Sequence, residues 1–68
     1  VTNRNVRAMK AKYNLTNQSL AEELKMSTST FSERLTGKQE WALHQAKQLV
    51  DIFNSHGENY TIESLFEL

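Results

Sequence analysis

Apolar residues recur at helical spacing in five short stretches of this chain, and no stretch of useful length alternates with the two-residue period of a strand. Val6, Met9 and Tyr13 follow i, i+3, i+7 and predict a first helix over about residues 3–13. Asn14 is placed to end it, because Asn tolerates the left-handed backbone that often follows a helix. Thr16 stands where an N-cap belongs, ahead of the stripe Leu20, Ala21, Leu24. Ser27 offers the next cap, and Phe31 and Leu35 give the third helix its buried face before Gly37. A fourth helix is expected from about Glu40 to Phe53, with Leu43, Ala46, Val50 and Phe53 inward. Gly57 then breaks the chain, and Thr61 caps a last short helix holding Ile62, Leu65 and Phe66. The expectation is an all-α, compact bundle of about five short helices. The chain has no proline, and its only glycines fall where helices are expected to stop.

Length narrows the function classes. Sixty-eight residues make one domain, 1–68, with an apolar fraction of 38% and a charged fraction of 24% that suit a folded chain. A domain this short buries only about 60% of the surface its unfolded chain exposes, which leaves little room for a deep substrate cavity. There is no cysteine, so a disulfide framework and thiolate metal sites are excluded. The longest apolar run is Trp41-Ala42-Leu43, far short of the ~20 residues of a membrane helix, so no membrane partner is expected. No basic segment followed by an apolar stretch opens the chain, and the cytosol is the expected location. A small binding module is favoured over an enzyme.

Zero net charge conceals a division. Residues 1–38 carry seven basic side chains against Glu22, Glu23 and Glu33, a net +4. Residues 39–68 carry Lys47 against Glu40, Asp51, Glu58, Glu63 and Glu67, a net −4. A basic half can approach a polyanion, while an acidic half can face solvent or a basic partner.

Residues 17–36, NQSLAEELKMSTSTFSERLT, have the makings of a helix-turn-helix: two short helices joined by about three residues. Ala21 is small where the helices cross, and Leu20, Leu24, Met26 and Phe31 are apolar where the unit must pack on the rest. Extended to LTNQSLAEELKMSTSTFSERLTGK, the segment resembles the LTQxxLAxxLGVSxxxISxxExGK pattern of Cro and C1-type phage repressor domains, the XRE group. The resemblance implies a lambda-repressor-like domain, often dimeric, that lays its third helix in the major groove of operator DNA. Carried over, Thr28, Ser29, Ser32 and Glu33 would read bases. Asn17, Gln18, Ser27, Lys38, Gln39, Arg7 and Lys10 would meet phosphate, which helix amino termini and cations favour. The alternative for the hydroxyls is that they only cap and solvate their helix.

The chain departs from the pattern in places. Lys25 stands where the family has Gly, Leu35 replaces a common acidic residue, and no proline follows Gly37-Lys38. The reading face offers short hydroxyls and Glu33 rather than the Arg, Lys, Asn or Gln that discriminate bases by about 1–3 kcal/mol each. A second function class therefore stays open, similar to the modulator-of-repression antirepressors that bind a phage repressor protein and change its hold on DNA. Glu40 and Asp51 on the acidic half, with Trp41, Leu65, Phe66 and Leu68, are the candidates for such a partner surface. The alternative is that the aromatic residues are ordinary core, and a homodimer would use the same terminal residues.

Catalysis and metal binding find no pattern. His44 and His56 have no metal-ligand spacing, and nothing orients His44 and Asp51 toward a serine nucleophile. No metal, no cofactor and no enzymatic activity are expected.

Overall fold

Capping chemistry sets most of the helix boundaries. The computed structural model describes residues 3–68, and these form α1 (Arg4–Lys12), α2 (Asn17–Glu23), α3 (Thr28–Leu35), α4 (Leu43–Ser55) and α5 (Ile62–Phe66). No strand occurs among the described residues. Thr16 and Ser19 exchange reciprocal bonds at the start of α2, with backbone N–H to hydroxyl distances of 3.0 and 3.1 Å. Thr61 and Ser64 repeat the arrangement at α5. Ser27 Oγ accepts from the Thr30 amide at 3.1 Å and starts α3. Each cap satisfies a first-turn donor that the helix itself cannot, contributing roughly 1 kcal/mol.

The same stop closes all five helices. A left-handed residue follows the last turn, and the next amide reaches back to a carbonyl five residues earlier. The left-handed positions are Asn14 (φ 55°), Lys25 (57°), Gly37 (88°), Gly57 (109°) and Glu67 (56°). The closing bonds run from Leu15 to Lys10, Met26 to Ala21, Lys38 to Glu33, Glu58 to Phe53 and Leu68 to Glu63. Three of these residues are not glycine and carry the cost of a Cβ in that region, about 1–2 kcal/mol each.

α4 begins at Leu43 rather than near Glu40. Glu40 is kept out of the helix because the Arg34 guanidinium holds its carbonyl. Trp41 packs edge-on against Phe31, with ring centroids 5.5 Å apart, and reaches Phe66 at 6.1 Å. Ala42 is extended, and its amide donates to Gln45 Oε1 at 3.3 Å. Leu43 accordingly opens the helix exposed, and Leu49 takes the buried place expected of it.

The core draws on every helix: Val6 and Met9; Leu20 and Ala21 with Leu24 behind them; Phe31 and Leu35; Ala46, Leu49, Val50 and Phe53; Leu65 and Phe66. Burying each of the larger side chains contributes roughly 1.5–3 kcal/mol. No polar or charged residue is buried among those described, so polar groups work at the seams instead. Asn3 donates to the Arg34 and Leu35 carbonyls at 3.1 and 3.0 Å, and its Oδ1 accepts from Trp41 Nε1 at 2.9 Å. Asn5 does the same for the Ser64 and Leu65 carbonyls of α5, at 3.2 Å each. Asn3, just before α1, and Asn5 in its first turn thus bind carbonyls at the ends of two other helices.

Candidate functional site

The unit formed by α2, the turn and α3 is closed by backbone hydrogen bonds. Leu24 ends α2, Lys25 takes the left-handed turn position, Met26 is tied back to Ala21 at 2.9 Å, and Ser27 starts the next helix. Ala21 is buried, as a close crossing requires. Phe31 and Leu35 anchor one side of α3 in the core. The opposite side carries Ser29, exposed, and Glu33, half-buried; Ser32 is half-buried at the flank, and Thr28, in line with Phe31 and Leu35, is exposed because it opens the helix.

The groups available on that side are partly occupied by the chain. Gln39 Nε2 donates to Glu33 Oε1 at 3.0 Å, so two of the proposed contacts bind each other. Ser27 Oγ donates to Thr30 Oγ1 at 2.8 Å besides capping α3. Lys38 is exposed just beyond the α3 stop. Arg34, the one cation on α3, turns back to the Glu40 carbonyl, and its Nε is buried without a hydrogen-bond partner among the described residues. At the start of α2, Gln18 is exposed and lies 3.5 Å from Glu22 Oε1. Asn17 Oδ1 accepts from the Lys10 ammonium. Burial, helped by the nearby Arg7 guanidinium, pulls Lys10 below the ordinary lysine value.

Arg7 donates to the Leu35 carbonyl at 3.2 Å. A positive side chain at a helix C-terminus is also favourable to the dipole.

Charge pairing stitches the two halves of the chain. Arg4 grips Glu67 through two bonds of 2.5 Å, and Lys12 pairs with Glu58 at 2.6 Å. Tyr13 Oη also donates to Glu58, and its ring stacks on His56 with centroids 4.7 Å apart. Two of the five acids in residues 39–68 are therefore engaged by the basic half. Of this α1 seam, built from Asn3, Asn5, Arg4 and Tyr13, only Tyr13 shows in the apolar periodicity; the others give no signal there because they are polar.

A second face lies at the corner of α4 and α5. Glu40, Trp41, Leu43, Ala46, Ile62, Phe66 and Leu68 line a pocket of about 180 Å³. Leu43 and Leu68 stand 63% and 68% exposed, the exposed large hydrophobic residues of the described chain. Of the apolar residues considered as a partner surface, Leu65 is wholly buried and Phe66 nearly so, while Trp41 is half-buried and Leu68 open. Asp51 lies apart from this corner, in an open cleft with Glu23, Gln48, Ile52, Ser55 and His56. There Ser55 Oγ donates to the Ile52 carbonyl at 2.6 Å, and His56 is engaged by Tyr13. No group of three His, Cys, Asp or Glu residues with metal-binding geometry occurs among the described residues, and no helix is long and apolar enough to cross a membrane. Comparison with protein-family models, curated proteins and solved structures finds no match for the chain.

Proposed function

We propose that this domain is a helix-turn-helix transcriptional regulator of a phage-type lysogeny and lysis switch, acting on operator DNA in the bacterial cytoplasm. The observation that carries the reading is the outward side of α3. Ser29 and Glu33 lie opposite the buried Phe31 and Leu35, with Thr28 exposed in the first turn and Ser32 half-buried at the flank, on a helix held by a closed turn, with Lys38 exposed at its far end. A helix so presented fits the major groove, where hydroxyls reach either donors or acceptors on base edges. Lys38, the exposed amides of the α3 start and Gln18 supply the backbone contacts that set register.

Fluorescence anisotropy on duplex DNA from upstream of the gene, at low and near-physiological salt, tests this. Tight binding that falls with salt and survives competitor DNA is expected. Lys38→Ala should weaken binding to all sequences and reduce the salt slope by about one phosphate contact. An unchanged slope removes Lys38 from the interface.

One observation favours a second reading, in which the domain is an antirepressor that binds the switch's repressor protein. Glu33 stands on the reading side of α3, and Arg34, the only cation of that helix, folds back on Glu40. A carboxylate there repels phosphate and can only accept from base amino groups, such as that of cytosine. Under this reading Glu40→Lys or Asp51→Lys disrupts a complex with the purified repressor while DNA binding holds or rises. The two reversals report on different faces, since Glu40 borders the α4–α5 pocket and Asp51 the open cleft. If both leave the complex intact, the acidic half is not the contact.

A further inference from the structure

The first five residues after α3, 36–40, are all exposed, yet α3 holds every one of them. Thr36 Oγ1 and the Lys38 and Gln39 amides donate to the Glu33 carbonyl at 3.2, 2.9 and 3.3 Å, and the Gly37 amide donates to the Arg34 carbonyl at 3.3 Å. Those acceptors are backbone, which any residue would offer. Two side chains add what the backbone does not. Gln39 Nε2 donates to Glu33 Oε1 at 3.0 Å, and the Arg34 guanidinium donates to the Glu40 carbonyl. Surface loops are ordinarily the mobile part of a domain; here side chains of the preceding helix restrain both residues that follow Lys38. The Lys38 side chain itself has no partner among the described residues.

Glu33 has two possible uses on its side of α3. A carboxylate can accept from a base amino group, or it can hold its own chain. One of its oxygens is already taken by Gln39, and its charge repels the phosphates that a reading helix must approach. As a reader Glu33 is poorly suited. As an anchor it is consistent with every bond it makes, since its carbonyl and its carboxylate both hold the same loop.

We infer that Glu33 is a positioning residue rather than a base reader: through Gln39 it fixes the loop after α3 and so presents Lys38 to duplex phosphate. This deepens the operator reading and rests on it for the existence of a DNA partner.

Glu33→Gln and Glu33→Ala separate the bond from the charge. Both remove the carboxylate charge, but only Gln keeps an acceptor for Gln39 Nε2. In the free domain, the Lys38 and Gln39 amides should exchange about threefold to tenfold faster in Glu33→Ala and near the parental rate in Glu33→Gln. Gln39→Ala removes the same bond from its other end and should speed exchange equally, with no addition when combined with Glu33→Ala. On duplex DNA from upstream of the gene, Glu33→Gln should bind at least as tightly as the parent, having shed a repulsive charge. Glu33→Ala should bind about threefold to tenfold more weakly than Glu33→Gln. Across duplexes altered one base pair at a time, both variants should keep the parent's preferences. The difference between them should vanish when Lys38 is also replaced by Ala, because the anchor acts through that ammonium. A merely structural role would not depend on Lys38.

Relaxed preference at one base pair in either Glu33 variant makes Glu33 a reader and overturns the inference. So do equal binding by the two Glu33 variants, a difference between them that survives Lys38→Ala, or loop amides that exchange alike in Glu33→Ala, Glu33→Gln and the parent. A parent that binds no duplex at low or near-physiological salt fails the operator reading instead, and the exchange result still decides whether Glu33 anchors the loop.

Discussion

The outward side of α3 and the corner of α4 and α5 are both exposed, yet they differ in what folding asks of them. On α3 the exposed positions hold Thr28 and Ser29, residues that a solvated first turn accepts for its own reasons. Their presence is explained by helix chemistry whether or not they touch a base. At the corner, Leu43 and Leu68 are exposed although a polar residue would serve the fold equally well. Single exposed leucines are ordinary, but two bordering one apolar pocket are not. The comparison teaches that the chemically richer face need not be the more informative one. Polar residues on a helix surface carry little inference; apolar residues that the core does not use carry more.

Core and corner can be separated by substitution, and the core change has the largest effect expected of this domain. Phe31 is fully buried and stacks edge-on to Trp41. Phe31→Ala should cost about 3–5 kcal/mol. That is comparable with the whole stability of a domain this small, so cooperative thermal melting and both faces should be lost together. Leu43→Ala should change stability by no more than about 0.5 kcal/mol. A Leu43 variant that melts far below the parent would show that the corner belongs to the core, and the comparison would fail.

Asn3→Ala tests whether the two faces are independent. Its side chain satisfies two α3 carbonyls and the Trp41 indole at once, although Arg7 still donates to Leu35. Leaving these groups unmet should cost about 1–3 kcal/mol, read in a urea or thermal melt. Trp41 emission should move as well, because its N–H partner is gone. A stability loss without a change at Trp41 would confine the role of Asn3 to α3.

Lys25→Gly works in the opposite direction. The position is left-handed at φ 57°, and relief of its Cβ should add about 1 kcal/mol, offset in part by the entropy of Gly. For a domain of this size 1 kcal/mol raises the melting midpoint by roughly 4–8 °C. Hydrogen exchange should show the added protection first at α2 and α3. A lower midpoint would mean that the lysine side chain supports the turn in a way the backbone does not reveal.

Much of the fold was legible because capping and stopping are local. Thr16, Ser27 and Thr61 announce helix starts, and Asn14, Gly37 and Gly57 announce stops, by chemistry confined to a few residues. Glu67 gave no such notice, since its left-handed turn follows from the Leu68 to Glu63 bond and its grip on Arg4, a residue 63 positions away. The start of α4, at Leu43 rather than near Glu40, is illegible for the same reason: Arg34 and Phe31 hold the preceding segment from another helix. Of the candidate site, exposure of Ser29 follows from the Phe31 and Leu35 spacing, whereas Thr28 shares their phase and is exposed only because it opens the helix. The pairing of Gln39 with Glu33, and of Lys10 with Asn17, does not follow from spacing, because side-chain partners six or seven residues apart depend on where the intervening turn sends the chain.

The smallest effect expected is a pH dependence at the clasp between α1 and the segment after α4. Glu58 is held below its ordinary value of 4.5, first by the hydrogen bond from Lys12 and then by that from Tyr13. Its folded value is depressed, so its contribution is complete above the unfolded value and disappears as pH falls through the folded one. Lys12 and Tyr13 are both raised, each chiefly by its hydrogen bond to Glu58, so theirs is complete at neutral pH and disappears as pH climbs through their folded values above about 10. The clasp therefore operates across the neutral range and weakens at both extremes. Its groups reach solvent, so water and salt screen it, and the effect should shrink at high ionic strength. Glu58→Gln should melt slightly below the parent at neutral pH and low salt, and the two should converge as pH drops below 4.5. Convergence is the decisive result: a gap that persists in acid would mean that Glu58 acts through its stacked neighbours Tyr13 and His56 rather than through its charge.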